Sequence, residues 1–484
     1  MGELKEKTVN GIKWSAIEKF SIQGILFIVG LVMARLLTPE DFGIMGMLTI
    51  FLSISQTFVD GGFSNALIRK IDRTEVDCST VFFFNIVVGL LSFSVLYLCS
   101  PLIADFYNTP QLVDVTRVLA LTLFLNSLIV VQVALFTIRI DFKTQAKINL
   151  IGVALSGGVG IYMAYTGYGV WSLVYQTVLR SAVNVFMYWF FAKWKPLCVF
   201  SISSFRALFS YGSKILASGL LHTFYQNMAN MVIGKFYTVK DLGYYERGQQ
   251  LGKLPEEATV SVFQRVAFPL LATLQNDEKR LIDTYRKLMK ASSIIIFFVM
   301  LLLVALAKPL VIVLLTDKWD QAVIYLQLYC MANMFNHITR LNLILLQVKG
   351  RSDLFLKLEI IKKAISMLML IAAAPLGIIA ICISQIIYAQ IAVFINTYYT
   401  KKYFDLGWLS QVRDFSKYLI MSIVACLPIY LLVLLNFPNL IILFGGPIIA
   451  TFVYSFILLP NDSVFIELKC IVKDNITRLV NVRF

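Results

Sequence analysis

The sequence predicts an all-α, polytopic membrane protein of about 14 transmembrane helices, built as two pseudo-symmetric six-helix lobes plus two C-terminal helices. Three observations predict it. Of the 484 residues, 58% are hydrophobic and only 15% are charged, against roughly 25% charged in an ordinary soluble domain. Stretches free of Asp, Glu, Lys and Arg recur at 78–104, 118–138, 215–234, 321–339 and 438–460, and roughly 20 apolar residues suffice to cross the hydrocarbon core. Lys and Arg gather in alternate loops, as they do when alternate loops face the cytoplasm. The alternating ten-residue segments of a transmembrane barrel are absent.

Pro/Gly breaks and charged loops divide the chain into spans near 14–35, 41–67, 79–104, 113–138, 147–166 and 168–192. A second set follows near 206–233, 241–267, 286–315, 320–347, 354–374 and 377–400, with two further spans near 415–435 and 438–459. Two divisions rest on turn residues. Residues 364–400 carry no charge over nearly two membrane thicknesses, with Pro375, Leu376 and Gly377 where a tight turn must fall; Thr166 to Gly169 divides 148–179 in the same way. With the N-terminus (Lys5, Lys7, Lys13) inside, most of the 43 Lys and Arg residues fall in inner loops, at 69–73, 139–147, 193–206, 279–290, 349–357, 401–417 and the tail. The outer loops hold Arg35, Lys235, Lys240 and Lys318. Both termini are therefore expected to be cytoplasmic, and the net charge of +15 reflects topology rather than nucleic-acid binding. The N-terminus, which mixes Glu with Lys and lacks a small-residue cleavage site, does not read as a signal peptide.

The chain repeats itself. Arg35, Thr38, Asp41 and Gly43 recur at an offset of 200 as Lys235, Thr238, Asp241 and Gly243. At an offset of 208, Pro101-Leu102-Ile103 matches Pro309-Leu310-Val311, and Tyr168-Gly169 falls against Leu376-Gly377. A six-helix unit enters the membrane twice from the same side, which predicts a pseudo-two-fold along the membrane normal. The expected divisions are 1–200 for the N-terminal lobe, 201–403 for the C-terminal lobe, and 404–484 for two added helices and a cytoplasmic tail.

Ionisable residues at membrane depth are costly and usually face a bundle interior or a wet cavity. The eighth span, 241–267, is the richest: Glu246, Gln250, Lys253, Glu257, Ser261 and Gln264 fall within about 80° of one another on a helix. Arg247 and Glu256 lie in the same span, and Pro255 sits in its middle. An interfacial amphipathic helix is the alternative, but it would invert every later loop. The tenth span places Asn333, Asn336, His337 and Arg340 on one face; the sixth carries Arg180 between Gln176 and Asn184; Asp60 lies near the inner end of the second. Lys19, Lys214, Arg265, Lys362 and Lys363 read as snorkelling side chains.

At Arg35-Leu36-Leu37-Thr38-Pro39-Glu40-Asp41-Phe42-Gly43, followed by Phe58-Val59-Asp60-Gly61-Gly62-Phe63, the sequence resembles the bacterial polysaccharide exporters. These are the Wzx-like flippases of the multidrug/oligosaccharidyl-lipid/polysaccharide (MOP) superfamily, in particular its colanic-acid and teichuronic-acid exporter branch. The resemblance in layout covers nearly the whole chain. It implies two six-helix lobes forming a V around a central cavity lined by spans one, two, seven and eight. It also implies a lipid-linked oligosaccharide substrate on a polyprenyl diphosphate, moved across the bacterial cytoplasmic membrane by alternating access. It carries no individual site residue over. On span placement, Arg180, Arg247, Lys253 and Arg340 are expected to receive the diphosphate, since guanidinium groups offer phosphate oxygens a planar fork. Gln250, Asn333 and His337 are expected to contact sugars, and Asp60, Glu246 or Glu257 to bind H⁺ or Na⁺. No cofactor is expected beyond the ion gradient. The expected partners are membrane lipids and polysaccharide polymerase or assembly proteins.

Other classes fit less well. A MATE-like cation antiporter favours an acidic or aromatic cavity, whereas several spans here carry Arg or Lys. A peptidoglycan-precursor flippase differs only in substrate. A glycan polymerase or glycosyltransferase commonly presents a sizeable outer loop or an interfacial acidic cluster, and the outer loops here are short. No HExxH, GxSxG or Walker sequence occurs, and the seven cysteines (78, 99, 198, 330, 382, 426, 470) form no CxxC, so neither enzyme chemistry nor a metal site is expected.

Overall fold

The computed structural model describes residues 14, 21–458, 462 and 464–466. The terminal basic residues Lys5, Lys7, Lys13 and those of the tail, with Lys19 and Cys470, lie outside the described residues. Within the described residues, each of the predicted spans is helical. In order they are α1 (Ser21–Leu36), α2 (Pro39–Asp60), α3 (Phe63–Arg69), α4 (Glu75–Tyr107), α5 (Leu112–Ser127), α6 (Val130–Ile138), α7 (Phe142–Tyr165) and α8 (Val170–Ala192). There follow α9 (Ile202–Phe236), α10 (Val239–Ala272), α11 (Glu278–Leu315), α12 (Ala322–Asn333), α13 (Asn336–Val348), α14 (Ser352–Ala373), α15 (Ile378–Phe404), α16 (Trp408–Leu434) and α17 (Asn439–Leu458). By length and composition 7 of these segments can cross a membrane as they stand, or up to 8 if the bent pair α5–α6 is one span.

Three predicted spans are broken. Between α2 and α3, Gly61 and Gly62 take φ of 51° and 70°, a left-handed conformation that glycine adopts without a Cβ penalty. α5 and α6 meet at 41° across Leu128 and Ile129, and α12 gives way to α13 at Met334 and Phe335. The two hairpin turns fall where the sequence puts them: Gly167 and Gly169 have positive φ between α7 and α8, and Gly377 has φ of 114° between α14 and α15. Corresponding elements of the two repeats share their irregularities. Pro101 lies inside α4 and Pro309 inside α11, and the fourth span is broken in both repeats.

The chain forms two compact units, Met1–Gly243 and Tyr244–Phe484. This is a division by packing, distinct from the sequence period. In the first unit α2 packs on α9, α4 on α5 and α7 on α8. Its end nearest the 193–201 linker is an aromatic cluster in which Phe63, Phe82 and Trp194 are buried. That linker is tied to the start of α4: Trp194 Nε1 donates to Glu75 Oε2 at 2.6 Å, and the Leu197 and Ser201 amides donate to the Ser79 and Thr80 hydroxyls.

In the second unit α16 lies along α11, and α17 packs on both. A buried polar knot joins them to the bundle. The Tyr285 hydroxyl on α11 donates to Asn342 Oδ1 at 2.8 Å, while Gln411 Nε2 on α16 donates to the same oxygen at 2.9 Å. Asn342 Nδ2 returns a bond to Gln411 Oε1 at 3.0 Å. Beside it, Arg286 and Lys290 of α11 flank Asp414 of α16 at 3.6 and 3.4 Å. The helices beyond the second repeat are thus integral to this unit.

Candidate functional site

α10 carries half of the candidate residues, and its seating explains how they are presented. An added Cβ at Gly248 would lie 2.8 Å from the Ala322 carbonyl oxygen, and one at Gly252 would lie 2.6 Å from the Tyr329 ring. Glycine at these two positions lets α10 rest directly on α12. Away from that face, Gln250 is exposed, and Lys253 and Glu257 form a pair at 3.7 Å with 58% and 56% of their side chains exposed. Glu246 is half-buried. A pair so exposed contributes little to stability, so these charges are not the glue of the bundle.

Arg247 lies off that row. It is buried, its Nη1 donates to Gln250 Oε1 at 2.6 Å, and its guanidinium carbon is 6.0 Å from the centre of the Trp319 ring. Its positive charge reaches the row through Gln250. Arg340 of α13 is exposed, and the Gln264 amide oxygen of α10, in the orientation that satisfies both ends of the amide, accepts from Arg340 Nε at 3.1 Å and Nη1 at 3.3 Å. Asn333 ends α12, and its Nδ2 donates to the Tyr329 carbonyl.

His337 is placed elsewhere. It is buried in the second unit, with Nε2 3.0 Å from the Ser293 hydroxyl and its ring edge-on to Phe297. Asn336 and Arg340 share α13 with it and reach α10, while His337 lies on the buried flank of that helix. Lys362 also departs from expectation: it is buried and held by Glu359 Oε1 at 2.5 Å, rather than snorkelling.

Sequence reasoning missed Glu256. It is buried, on the α12 side of α10, and accepts from the Tyr329 hydroxyl at 2.9 Å and from Asn336 Nδ2 at 3.0 Å. The available signal was its distance from the polar stripe: a carboxylate inside a span and off the wet face must be satisfied by protein groups.

In the first unit Arg180 of α8 is half-buried and has no hydrogen-bond or ion-pair partner among the described residues. Gln176 and Asn184, one turn to either side, abut Gly160 and Gly152 of α7, where an added Cβ would lie 3.0 Å from Gln176 Cβ and 2.3 Å from Asn184 Oδ1. A small-residue row on α7 thus accommodates a polar row on α8 centred on a cation. Asp60 is exposed at the end of α2 and accepts from Gln56 Nε2 at 2.9 Å. Nearby, the Thr57 and Thr223 hydroxyls of α2 and α9 lie 3.0 Å apart. Among the described residues no group of three or more His, Cys, Asp or Glu is placed to hold a metal ion.

The repeated turn motif is geometric. Thr38 caps α2 in a reciprocal box with Asp41, and Thr238 and Asp241 make the same bonds at the start of α10. The two copies touch. An added Cβ at Gly43 would lie 1.9 Å from the Val239 carbonyl oxygen, and one at Gly243 would lie 1.9 Å from that of Pro39. Glu40 and Lys240 face each other at 3.8 Å. The motif recurs because the helix starts cross with backbone against backbone, which only glycine permits at both positions.

With this geometry in hand, known proteins supply the family. The teichuronic acid biosynthesis protein TuaB of Bacillus subtilis (strain 168) is 26% identical over 356 residues, covering 73% of this chain and 74% of the relative. The lipopolysaccharide biosynthesis protein WzxC of Escherichia coli (strain K12) is 23% identical over 367 residues, covering 74% and 73%. Among solved structures, the lipid II flippase MurJ in an inward closed conformation superposes with a TM-score of 0.74 at 14% identity, over 92% of this chain and 98% of that one. An inward-facing MATE family transporter of the MOP superfamily superposes at 0.59 and 16% identity, over 78% and 94%. These likenesses establish the fold. Residues 32–324 match the family described as "Polysaccharide biosynthesis protein", and the chain belongs to that family.

Proposed function

We propose that the protein is a flippase that moves a polyprenyl-diphosphate-linked oligosaccharide, the repeat unit of a polysaccharide, from the inner to the outer leaflet of the bacterial cytoplasmic membrane. In this reading all fourteen predicted segments cross the membrane, as two six-helix repeats followed by α16 and α17, with both termini cytoplasmic. The protein performs transport without catalysis, and a gradient of H⁺ or Na⁺ drives alternating access. The observation that carries the reading is membership of the polysaccharide biosynthesis family, with TuaB and WzxC among the relatives.

The geometry supports the substrate class. A transporter of this cargo needs a wet, partly cationic surface inside an apolar bundle. The exposed Lys253 and Gln250 of α10 and Arg340 of α13 supply one, and Arg180, which has no ion-pair partner among the described residues, supplies a cation in the first unit. Guanidinium groups suit diphosphate oxygens. Asn333 and Gln250 offer amides to sugar hydroxyls, and Arg247 supports Gln250 from behind. The exposed carboxylates Asp60 and Glu257 and the half-buried Glu246 are the candidate ion-coupling groups, and a polysaccharide polymerase is the natural downstream partner.

The test is deletion and complementation. A strain lacking the protein should accumulate lipid-linked intermediates by mass spectrometry, and a combined Arg180→Gln, Arg340→Gln variant should fail to clear them. Clearance by that variant would remove the diphosphate role from both residues. A cation antiporter instead predicts dye sensitivity in the deletion strain, with no accumulated lipid.

A further inference from the structure

Glu256 lies at the same offset of 200 from Gln56 that separates the two copies of the turn motif. The bonds these two side chains make correspond. In the second unit, Glu256 follows Pro255, which interrupts the hydrogen-bond ladder of α10. Its carboxylate takes one bond from Tyr329, on α12 ahead of the 334–335 break, and one from Asn336, the first residue beyond it. Asn336 Nδ2 also donates to Asn333 Oδ1 at 2.8 Å, across the break. In the first unit, Gln56 Oε1 accepts from Asn126 Nδ2 at 2.9 Å, two residues ahead of the break at 128–129. Its own Nε2 donates to Asp60, the residue before Gly61 and Gly62. Each repeat therefore ties an interruption in its second span to the interruption in its fourth. The tie is a neutral amide pair in the first repeat and a buried carboxylate in the second.

We propose that Gln56 and Glu256 are equivalent positioning residues for transport, each making the interrupted second and fourth spans of its repeat bend as a pair. The proposal rests on the transporter reading for its purpose, but its geometry stands apart from the substrate. A helix interrupted by proline or by left-handed glycines has a soft point, and conformational change concentrates at a few such positions. Side chains that bridge two soft points make one movement of two. In α10 that movement carries Glu257 and the segment beyond Pro255 relative to Lys253.

The experiment uses the full-length protein in lipid vesicles, with Cys99, Cys198 and Cys470 replaced by Ser and Ser261→Cys introduced on α10 beyond Pro255. Labelling of residue 261 by a membrane-impermeant maleimide reports the bend without reference to substrate. Glu256→Ala and Asn336→Ala should each change the labelling rate at least threefold, and the double variant should match the singles, because the two residues form one tie. Glu256→Gln, which keeps one acceptor, should fall between parent and Ala, and it decides the matter if Ala fails to fold. In separate transport measurements, turnover should fall about tenfold with KM unchanged. Gln56→Ala and Asn126→Ala should show the same non-additivity in turnover.

Parental labelling in Glu256→Ala, additive effects in the double variant, or a loss of turnover that merely follows a loss of thermal stability would overturn the proposal. If the parent moves no lipid-linked glycan while the labelling changes appear as stated, the tie stands and the transport reading falls.

Discussion

At the scale of single residues, identity is explained by what each side chain touches, and the glycines of the turn motif are the clearest case. Gly43 and Gly243 each meet a carbonyl oxygen of the opposing helix start. A larger side chain must push backbone away rather than bend a flexible neighbour. Gly43→Val and Gly243→Val should each lower stability by about 1–3 kcal/mol or more, seen as a fall in the melting temperature of the purified protein. Glu40→Gln, which removes one partner of a half-exposed pair at 3.8 Å, should cost less than about 1 kcal/mol. A Gly43→Val protein as stable as its parent would refute the crossing. The motif itself was legible in the sequence as a repeat, but its reason was not, because nothing along one chain says that its two copies meet. Glu256 and Glu257 make the same point: periodicity separates their faces, and only the fold shows that one face meets Tyr329 and Asn336 while the other remains exposed.

At the scale of elements, hydropathy and turn residues located the helices, including the hairpins at 166–169 and 375–377. The breaks inside spans four and ten were not legible. Leu128-Ile129 and Met334-Phe335 contain neither proline nor glycine, so the irregularity is imposed by packing and by hydrogen bonds from neighbouring helices. Hydropathy also undervalues α10, whose charged face is compensated by Gly248 and Gly252 on the α12 side. Gly252→Leu should separate the two helices and cut the yield of folded protein, whereas Ser261→Ala on the same helix should not. The knot of Tyr285, Asn342 and Gln411 makes a second prediction. Gln411→Ala leaves buried polar groups unsatisfied and should cost about 1–3 kcal/mol, while conservative Gln411→Glu should not restore it, since Asn342 Nδ2 keeps its acceptor but Asn342 Oδ1 loses a donor. Equal melting temperatures for parent and Gln411→Ala would show that this knot does not hold α16.

At the scale of the whole molecule, the distribution of Lys and Arg supports cytoplasmic placement of the linker between α8 and α9. Cys198 lies in that linker and is exposed, so the native chain carries its own topology probe. It should react with an impermeant maleimide in inverted membrane vesicles and stay unlabelled in intact spheroplasts; the opposite pattern would invert the orientation. Movement of the cargo itself is measurable in vesicles. The purified protein is placed in vesicles with a fluorescent polyprenyl-diphosphate oligosaccharide in both leaflets, and a membrane-impermeant quencher reports the outer-leaflet fraction over time. With an H⁺ or Na⁺ gradient imposed, the quenchable fraction should move well away from one half, and Arg180→Gln with Arg340→Gln should abolish the movement. A fraction that stays at the value of protein-free vesicles, under either gradient and with correctly folded protein, would contradict the account.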